Sequence, residues 1–246
     1  MLKKKTILNI SFLIAISCNV LHGQTPDYIT RQKTIQLQVE RLSHINDSIF
    51  KHSLNFVIGK SYYSGGNKYV HPFFGDNLWV PAEIFSSGES FKVDLAKYDL
   101  SLDYIVILYN FESLSYPIYL NKETVREFAI SGHHFKYIDG LTGSGIDELV
   151  PGYYEEFYTG KTRFLIRRLK LKKYDNANLS EIYSDRIYLF ILKEGKYFLI
   201  TSQKSLFKVL SDHKKELKNF MKNNNIRFSH GNYEQVGKLL EYYDTL

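Results

Sequence analysis

The chain has 246 residues, of which 44% are apolar, 24% charged and 15% aromatic. This composition excludes a disordered or fibrous protein and supplies enough apolar material for one core or two small ones. The net charge of +6 is unevenly distributed: residues 24–160 carry 11 Lys and Arg against 17 Asp and Glu, whereas residues 161–246 carry 18 against 9. The second part is therefore predicted to offer a basic surface to anionic partners.

Residues 1–23 have the pattern of a secretory signal peptide. A basic cluster, Lys3 to Lys5, precedes a mostly apolar run from Ile7 to Ile16, and Gly23 is small enough for a signal peptidase. The run is too short to span a bilayer, which takes about 20 residues. Cleavage after Gly23 is the preferred prediction. The alternative is a lipoprotein, because Ala15-Ile16-Ser17-Cys18 is a loose lipobox in which Cys18 would be lipidated.

Both alternatives predict an exported protein of the periplasm or the outer membrane. Cys18 is the only cysteine, so the folded part is predicted to contain no disulfide and no thiolate metal site. Its stability must therefore come from its core. No later segment is apolar enough to cross a membrane, so the mature chain is predicted to have no transmembrane span.

Residues 24–53 are predicted to form an N-terminal helix. Thr25 suits the N-cap and Pro26 the first helical position. Apolar residues then recur every seven positions and form a narrow stripe. The helix is expected either to pack on the rest of the protein or to act as a spacer. The stripe consists of Tyr28, Ile35, Leu42 and Ile49.

Residues 54–201 are predicted to form a β-rich domain, because short aromatic and β-branched runs alternate with turn residues about every 8 to 12 positions. Two of the runs are apolar on both faces and are expected to be covered on both sides. These two are Tyr104–Tyr109 and Tyr188–Leu192. The predicted strands are Leu54–Gly59, Trp79–Phe85, Phe91–Leu95, Tyr104–Tyr109, Tyr116–Leu120, Val125–Ile130, Phe135–Ile138, Tyr153–Tyr158, Thr162–Lys172, Ile187–Lys193 and Lys196–Thr201.

Two pairs of strands are predicted to form tight hairpins. Thr159-Gly160 and Glu194-Gly195 each separate two strand-like runs, and glycine supplies the positive φ that a two-residue loop needs.

Residues 202–246 are predicted to form a helical cap that packs on the β-rich domain. Its helices are expected over Ser205–Leu210, over Asp212–Asn223 and after a capping box formed by Asn232 and Gln235. The expected fold is therefore α+β and mainly β: antiparallel sheets in a sandwich or barrel-like arrangement, with an N-terminal helix and a small C-terminal helical cap.

Several short segments of the chain form a recognisable series. They include His71-Pro-Phe-Phe74 with Trp79, Gly132-His-His-Phe135, Pro151-Gly-Tyr-Tyr154, Tyr158-Thr-Gly-Lys161 and Lys204-Ser-Leu-Phe-Lys-Val-Leu210. With these segments, the sequence resembles an uncharacterised family of secreted, β-rich proteins from Bacteroidetes bacteria, over about Phe56 to Leu246. The resemblance implies a Gram-negative envelope location and a β-rich unit with a helical tail, and it implies no activity.

Two motifs suggest enzymes but fit their patterns poorly. The glycine-rich segment from Asp139 to Ile146 lacks the Lys-Ser/Thr of a phosphate-binding loop and is predicted to be a plain loop. Ser205 and Lys208 match S-x-x-K, but the companion motifs of penicillin-recognising enzymes are missing. Ser205 is better explained as a helix N-cap.

Histidines and acids are also too poorly placed for a catalytic or metal site. His133 and His134 are the best metal candidates, together with His71 and Asp139, but neighbours on a strand point to opposite faces. The same argument separates Glu155 from Glu156, which could otherwise supply paired carboxylates for glycoside cleavage. No catalytic residue, metal ligand or cofactor is therefore predicted.

The strand from Lys161 to Lys173 is the most unusual segment of the sequence, because five cations interrupt its apolar residues. The apolar phase flips at Arg167 and Arg168, which predicts a β-bulge there. The cations are candidate ligands for lipid phosphates, lipopolysaccharide or acidic glycans, and the alternative is a charged strand that resists edge pairing. They are Arg163, Arg167, Arg168, Lys170 and Lys172.

These observations favour a non-enzymatic binding or structural module of the cell envelope, whose basic surface meets anionic lipid, lipopolysaccharide or an envelope protein. The alternative is a hydrolase acting on envelope glycan. Nucleic acid is not an expected partner, because the net charge is small once the signal peptide is removed. The sequence predicts no oligomeric state.

Overall fold

The computed structural model describes residues 70–111, 114–139, 145–176, 180–229 and 231–246. Within these residues the chain forms ten strands, then three α-helices and a short 3-10 helix. The predicted signal peptide, Cys18, the helix predicted over residues 24–53 and the strand predicted over Leu54–Gly59 all lie outside the described residues. They stay predictions.

The ten strands pair antiparallel in one sheet, in the order β10-β9-β8-β7-β6-β5-β1-β2-β3-β4. Every strand predicted within the described residues is confirmed. The largest difference in bounds is at β9, which begins before the predicted start at Ile187. The strands are β1 (Val80–Ser86), β2 (Glu89–Asp99), β3 (Tyr104–Phe111), β4 (Leu114–Tyr119), β5 (Glu127–Ile130), β6 (His133–Ile138), β7 (Gly152–Thr159), β8 (Arg163–Asp175), β9 (Ser180–Lys193) and β10 (Lys196–Ile200).

The mainly antiparallel β fold is confirmed, but the described strands form one open sheet and not two packed sheets. The sheet instead curls on itself. Lys170 of β8 donates its backbone N–H to the carbonyl of Leu100, just after β2, at 3.2 Å. Curling lets β1 to β6 surround a core without a second sheet. This core is rich in aromatic rings and includes Ile84, Tyr98, Ile105, Phe128, Phe135 and Tyr153.

The other end of the sheet is covered by the helices α1 (Gln203–Val209), α2 (Lys214–Asn223) and α3 (Tyr233–Tyr243). Their apolar faces pack on Phe164 and Ile191 and form the second core. Phe190 lies on the opposite face and is buried in a smaller cluster. The prediction that the run Tyr188–Leu192 is covered on both sides is therefore confirmed, as is the predicted helical cap. Within the described residues, no helix has the length and hydropathy needed to span a membrane.

The turns and helix ends differ from the predictions in three places. Glu194-Gly195 forms the predicted two-residue hairpin with positive φ at both residues, but the loop after Thr159 has three residues because Thr159 pairs with Arg163. Ser202 is the N-cap of α1, and Ser205 completes its capping box. The Asn232 side chain makes no capping hydrogen bond, since Gln235 accepts a hydrogen bond from the backbone of Arg227 instead.

Candidate functional site

Strands β6 and β7 place two His–Glu pairs on opposite faces of the sheet. Phe135 of β6 lies opposite Glu155 of β7, and side chains alternate along each strand. His133 therefore shares a face with Glu155. His134 shares the other face with Glu156. The prediction that neighbouring residues would separate the histidines and the glutamates is confirmed.

Glu155 holds His133 and Arg168 together in a half-buried cluster, which we call the His133 site. The Glu155 side chain is only 2% exposed, and its Oε1 lies 2.6 Å from His133 Nδ1. Its Oε2 accepts a hydrogen bond of 2.6 Å from Arg168 Nε. An ionised carboxylate can only accept hydrogen bonds, so the proton of His133 is assigned to Nδ1 and the lone pair of the neutral ring to Nε2.

Aromatic side chains from two other segments border the His133 site. Phe74, in the segment before β1, meets the His133 ring edge-on with 4.9 Å between ring centroids. The Arg168 guanidinium lies 5.0 Å from the ring of Tyr233, at the start of α3. The His133 side chain nevertheless remains 37% exposed. A fixed imidazole with an accessible ring is able to take a proton from a bound molecule or from water.

A row of alternating charges crosses the other face of the sheet. His134 Nε2 lies 2.7 Å from Glu127 Oε1, and His134 Nδ1 lies 3.4 Å from Glu156 Oε2. Glu156 also pairs with Arg163, and Glu127 with Lys136. Each carboxylate thus lies between two groups that are cationic or can become so. This arrangement suits a surface ladder of ion pairs that stabilises strand order.

The five cations predicted as ligand-binding residues do not form one surface. Strand β8 pairs with β9 without a register shift from Arg163 to Asp175. Arg168, Lys170 and Lys172 therefore share one face of β8. Arg163 and Arg167 lie on the other face.

The bulge predicted at Arg167 and Arg168 is wrong. The register shift lies instead in β7, between Glu156 and Tyr158. The apolar pattern of β8 changes at Arg167 because β7 stops pairing with it after Ile166, so the side chains beyond that point meet a different environment.

All five of these cations already have partners within the protein. Arg163 pairs with Glu156, and Arg168 pairs with Glu155. Lys170 donates to the carbonyl of His71 at 3.1 Å, and burial lowers the pKa of Lys170. Lys172 pairs with Glu181 at 2.6 Å. Their predicted role in ligand binding is untested, but an external anion would compete with these contacts.

Arg167, the fifth cation, is 3% exposed and forms a buried ion pair with Asp103. Its two terminal nitrogens lie 2.8 and 3.0 Å from the two Asp103 oxygens, and Tyr98 donates its hydroxyl to Asp103 at 2.6 Å. Burial by itself would lower the pKa of Arg167. The hydrogen bond to Asp103 and the negative charge of Asp103 have the larger combined effect and raise this pKa. A Cβ at Gly152 would overlap both partners, which explains the glycine there.

Sequence reasoning missed a basic depression on the helical cap, which we call the cap depression. It has a volume of about 490 Å³, and three lysines of the α1–α2 region line it together with three serines and Phe207. None of the three lysines forms an ion pair with any carboxylate of the described residues. The sequence did contain a signal of this surface, since Lys204 and Lys208 are four residues apart and residues at that spacing share one face of a helix. The polar lining residues are Ser202, Lys204, Ser205, Lys208, Ser211 and Lys214.

The S-x-x-K motif contributes to the cap depression without catalytic geometry. Ser205 Oγ accepts hydrogen bonds from the backbone N–H groups of Thr201 and Ser202 and donates to the carbonyl of Ser202. These contacts build the capping box of α1, in which Ser202 is the N-cap and Ser205, predicted to be the N-cap, is the third helical residue.

Within the described ranges, no group of three His, Cys, Asp or Glu side chains is placed to hold a metal ion. Comparisons of the chain found no matching protein-family model, no matching curated protein and no matching solved structure. The resemblance to secreted proteins of Bacteroidetes stays a prediction.

Proposed function

We propose that this protein is an exported binding module of the cell envelope that uses its helical cap to hold anionic groups. The observation that carries the proposal is the cap depression, where Lys204, Lys208 and Lys214 lie together without an ion-pair partner among the described carboxylates. Lysine ammonium groups and serine hydroxyls donate hydrogen bonds to phosphate and carboxylate oxygens. An anion that enters the depression would meet three positive charges that no carboxylate in the described part of the chain pairs with.

The charge distribution of the whole chain supports this choice of surface. Residues 161–246 hold twice as many basic as acidic residues, 18 against 9. Much of the excess lies beside the cap depression on α2, where Lys215, Lys218 and Lys222 are also exposed. The basic residues of β8, by contrast, are mostly engaged in ion pairs. The cap is therefore the better candidate for the basic surface that the sequence predicts.

The predicted signal peptide suggests which anions are within reach. An exported protein of a Gram-negative envelope meets phosphatidylglycerol and lipopolysaccharide, both of which carry phosphate. A basic surface patch gains about 1 kcal/mol per lysine near an anionic membrane, and the attraction weakens as salt rises. Binding at low ionic strength that falls at physiological ionic strength is the expected behaviour.

Co-sedimentation tests the proposal with two probes: vesicles containing phosphatidylglycerol, and lipopolysaccharide. The test variant replaces Lys204, Lys208 and Lys214 with Ser. A matched control replaces three exposed lysines elsewhere, at Lys92, Lys161 and Lys173, so that the net charge changes equally. Binding that the control keeps and the test variant loses supports the cap depression as the site.

Two results would overturn the proposal. Equal binding by the two variants would mean that net charge, not the cap depression, governs binding. Failure of the unmodified protein to bind either probe at low salt would remove the anionic-surface function altogether.

A second candidate function is hydrolysis, and the His133 site is the observation that favours it. Its buried Glu155 orients His133 as the orienting acid of a catalytic base does. Glu155 is enclosed and bonded on both oxygens, so it suits orientation better than the direct acid–base role of a glycosidase carboxylate. Cleavage of acyl esters on an envelope glycan therefore fits better than cleavage of its glycosidic bonds.

In that reaction His133 Nε2 would accept a proton from water while the water oxygen bonds to the acyl carbon. The ester C–O bond then breaks, and the imidazolium returns the proton to the leaving alcohol, so that acid and alcohol are released. The test is the rate of 4-nitrophenyl acetate and O-acetylated glycan hydrolysis by His133→Gln and by the matched control His134→Gln. Loss in the first alone supports the site. Equal rates, or no activity above buffer in the unmodified protein, would exclude it.

A further inference from the structure

The long β8–β9 hairpin extends past its neighbours and leaves a strand edge open. β9 has 14 residues, but β10 pairs with it only between Leu189 and Lys193. On the other side, β7 stops pairing with β8 after Ile166. We call residues 169–175 and 180–188 the arm. On one side, residues 180–188 of β9 pair with β8. On their other, outer side, they pair with no strand among the described residues.

The hairpin geometry shows which backbone groups point outward from this edge. Lys193 and Lys196 flank the two-residue loop and therefore form a hydrogen-bonded pair, so the N–H and C=O groups of Lys193 point towards β10. This direction repeats every second residue along β9. The residues of the open edge with outward-pointing groups are Glu181, Tyr183, Asp185 and Ile187.

An independent hydrogen bond supports this assignment. Lys170 pairs with Asp185, yet its N–H points away from β9, to the carbonyl of Leu100. The pair is therefore not hydrogen-bonded within the hairpin, and the backbone groups of Asp185 must point to the open side. An edge of four residues with outward N–H and C=O groups is a template for another strand.

Natural sheets protect such edges with lysine or proline, and β9 has neither in this region. The segment Ser180–Tyr188 contains no Lys and no Pro, whereas the β8 side of the arm carries Lys170, Lys172 and Lys173. The edge strand β4 contains Pro117. The arm also exposes large apolar side chains on both faces, namely Leu171, Tyr174, Ile182 and Ile187, which are 38% to 59% exposed. Among the residues that the structure describes, the β9 edge is thus the side of the arm that is open to pairing.

We propose that two copies of this chain dimerise by pairing β9 with β9 of the second copy, antiparallel about a two-fold axis at Ser184. A two-fold axis perpendicular to the sheet makes identical edges self-complementary and continues the sheet from one copy into the other. The second copy is the partner that the charges favour, because one register brings these edges together without opposing like charges.

The register follows from three possibilities near the middle of the edge. An axis at Tyr183 places Glu181 opposite Asp185 of the second copy, and an axis at Asp185 places the two Asp185 residues opposite each other. Like charges directly opposite destabilise a sheet. An axis at Ser184 avoids both conflicts. It places Tyr183 opposite Asp185, and Ile182 opposite Arg186, so the exposed Ile182 gains the aliphatic stem of arginine as a neighbour.

Cysteine cross-linking tests this register. In the proposed dimer, Ser184 of one copy lies opposite Ser184 of the second copy in a non-hydrogen-bonded pair. The two Cα atoms of such a pair lie about 4.5 Å apart, within the range of about 4.4–6.8 Å that a disulfide needs. The full chain carrying Cys18→Ser and Ser184→Cys is therefore expected to form a disulfide-linked dimer under mild oxidation. Ile182→Cys alone is not expected to cross-link, because the two substituted side chains would be offset by four residues, which is about 13 Å along the strand.

A mixture of two different single-cysteine variants gives the positive control. Ile182→Cys and Arg186→Cys should each fail to cross-link alone but should cross-link with each other, because the proposed register places them opposite. Efficient cross-linking of Ile182→Cys by itself, or none by Ser184→Cys, would overturn the register.

Sedimentation velocity tests the dimer without engineered cysteines. The unmodified chain is expected to be dimeric and Tyr183→Pro monomeric, because proline removes an outward N–H of the edge and no hydrogen bond inside the hairpin. Lys172→Pro makes the same change on the β8 side and is expected to remain dimeric. A monomeric unmodified chain, or equal effects of the two prolines, would overturn the proposal. None of these outcomes depends on anion binding by the cap.

Discussion

Individual side chains connect parts of the chain that are far apart in sequence. Asp103, in the turn after β2, and Arg167, in β8, are 64 positions apart and form a buried bidentate ion pair. Tyr98 and the backbone of Tyr153 complete the hydrogen bonds around it. The pair fastens the curled edge of the sheet to β8, so its main role is structural.

Replacing Arg167 with Met tests this role. Met removes the bidentate partner of Asp103 and leaves only Lys122, whose Nζ lies 3.5 Å from Asp103 Oδ2. Breaking a buried ion pair costs about 3–5 kcal/mol of unfolding free energy. Urea unfolding should therefore show a large decrease in midpoint. Lys172→Met on the same strand is the control, because its exposed pair with Glu181 should contribute little. Similar midpoints for the two variants would contradict a structural role of Arg167.

His71 gives the protein a predictable dependence on pH. Its Nδ1 accepts a hydrogen bond from the N–H of Phe73 at 3.2 Å. Burial, followed by the charges of Lys170 and Lys97, lowers the pKa of His71 below its ordinary value of 6.5, and the smaller effects of Asp76 and Asp185 oppose this. The unfolded chain therefore binds this proton more tightly than the folded protein does. Stability is expected to fall as the pH drops below 6.5 and through the folded-state pKa.

His71→Asn is the variant that isolates this effect, because Asn offers a hydrogen-bond acceptor but does not titrate. Denaturant unfolding at about pH 7.5 and about pH 5 should show a smaller loss of stability for the variant than for the unmodified protein. Equal losses would show that other groups account for the acid sensitivity.

At the scale of elements, the C-terminal end of α3 is attached to the turn between β7 and β8 by Asp244. Its carboxylate accepts hydrogen bonds from the Tyr158 hydroxyl at 2.9 Å and from the Thr162 hydroxyl and N–H at 2.9 and 3.0 Å. Burial and this hydrogen bond raise the pKa of Tyr158 to about 12. Gly160 is required in the turn, because a Cβ would overlap the Asp244 carboxylate and the Tyr158 ring.

Asp244→Ala is expected to loosen α3. The change leaves the Tyr158 and Thr162 donors without their acceptor, at a cost of about 1–3 kcal/mol. Hydrogen exchange should show faster exchange of the α3 amides with little change in β1 to β6. Glu241→Ala on the exposed side of the same helix is the control. Unchanged protection of α3 in Asp244→Ala would contradict the proposed attachment.

The strands and helices were the features of this fold that the sequence predicted best. Short aromatic and β-branched runs between turn residues identified the ten described strands, because such side chains pack well on a pleated sheet and turns need Gly, Asn, Asp or Pro. The β-bulge was misplaced because Arg167 is buried with Asp103, and a sequence cannot show that an arginine occupies an inward position. The capping box at Asn232 failed for a similar reason, since Gln235 is used by the backbone of Arg227 instead.

On the scale of the whole described region, the sheet and the helical cap depend on each other. The second core lies between them, and Phe164, Ile166 and Ile191 of the sheet are completely buried under the helices. α2 and α3 in turn bury Leu217 and Leu240 in the same core.

A chain that ends after Thr201 is therefore expected to lose cooperative unfolding and to bind a dye for exposed apolar surface, such as ANS. The full chain with Lys204, Lys208 and Lys214 replaced by Ser is the control, since it changes the cap surface but not the second core. Cooperative unfolding of the shortened chain at the midpoint of the full chain would show that the sheet is stable without its cap.

The sequence by itself determined the strands of the described region, the helical cap, the separation of His133 from His134 and the covering of Tyr188–Leu192 in β9 on both faces. These features depend on local periodicity, which a single sequence displays. Only the tertiary structure decided that the sheet is single and curled, that Glu155 joins His133 to Arg168, that Arg167 is buried with Asp103, and that three lysines converge on the cap. The physical reason is that each of these contacts joins segments that are distant along the chain, and their meeting depends on how the sheet bends and where the helices pack.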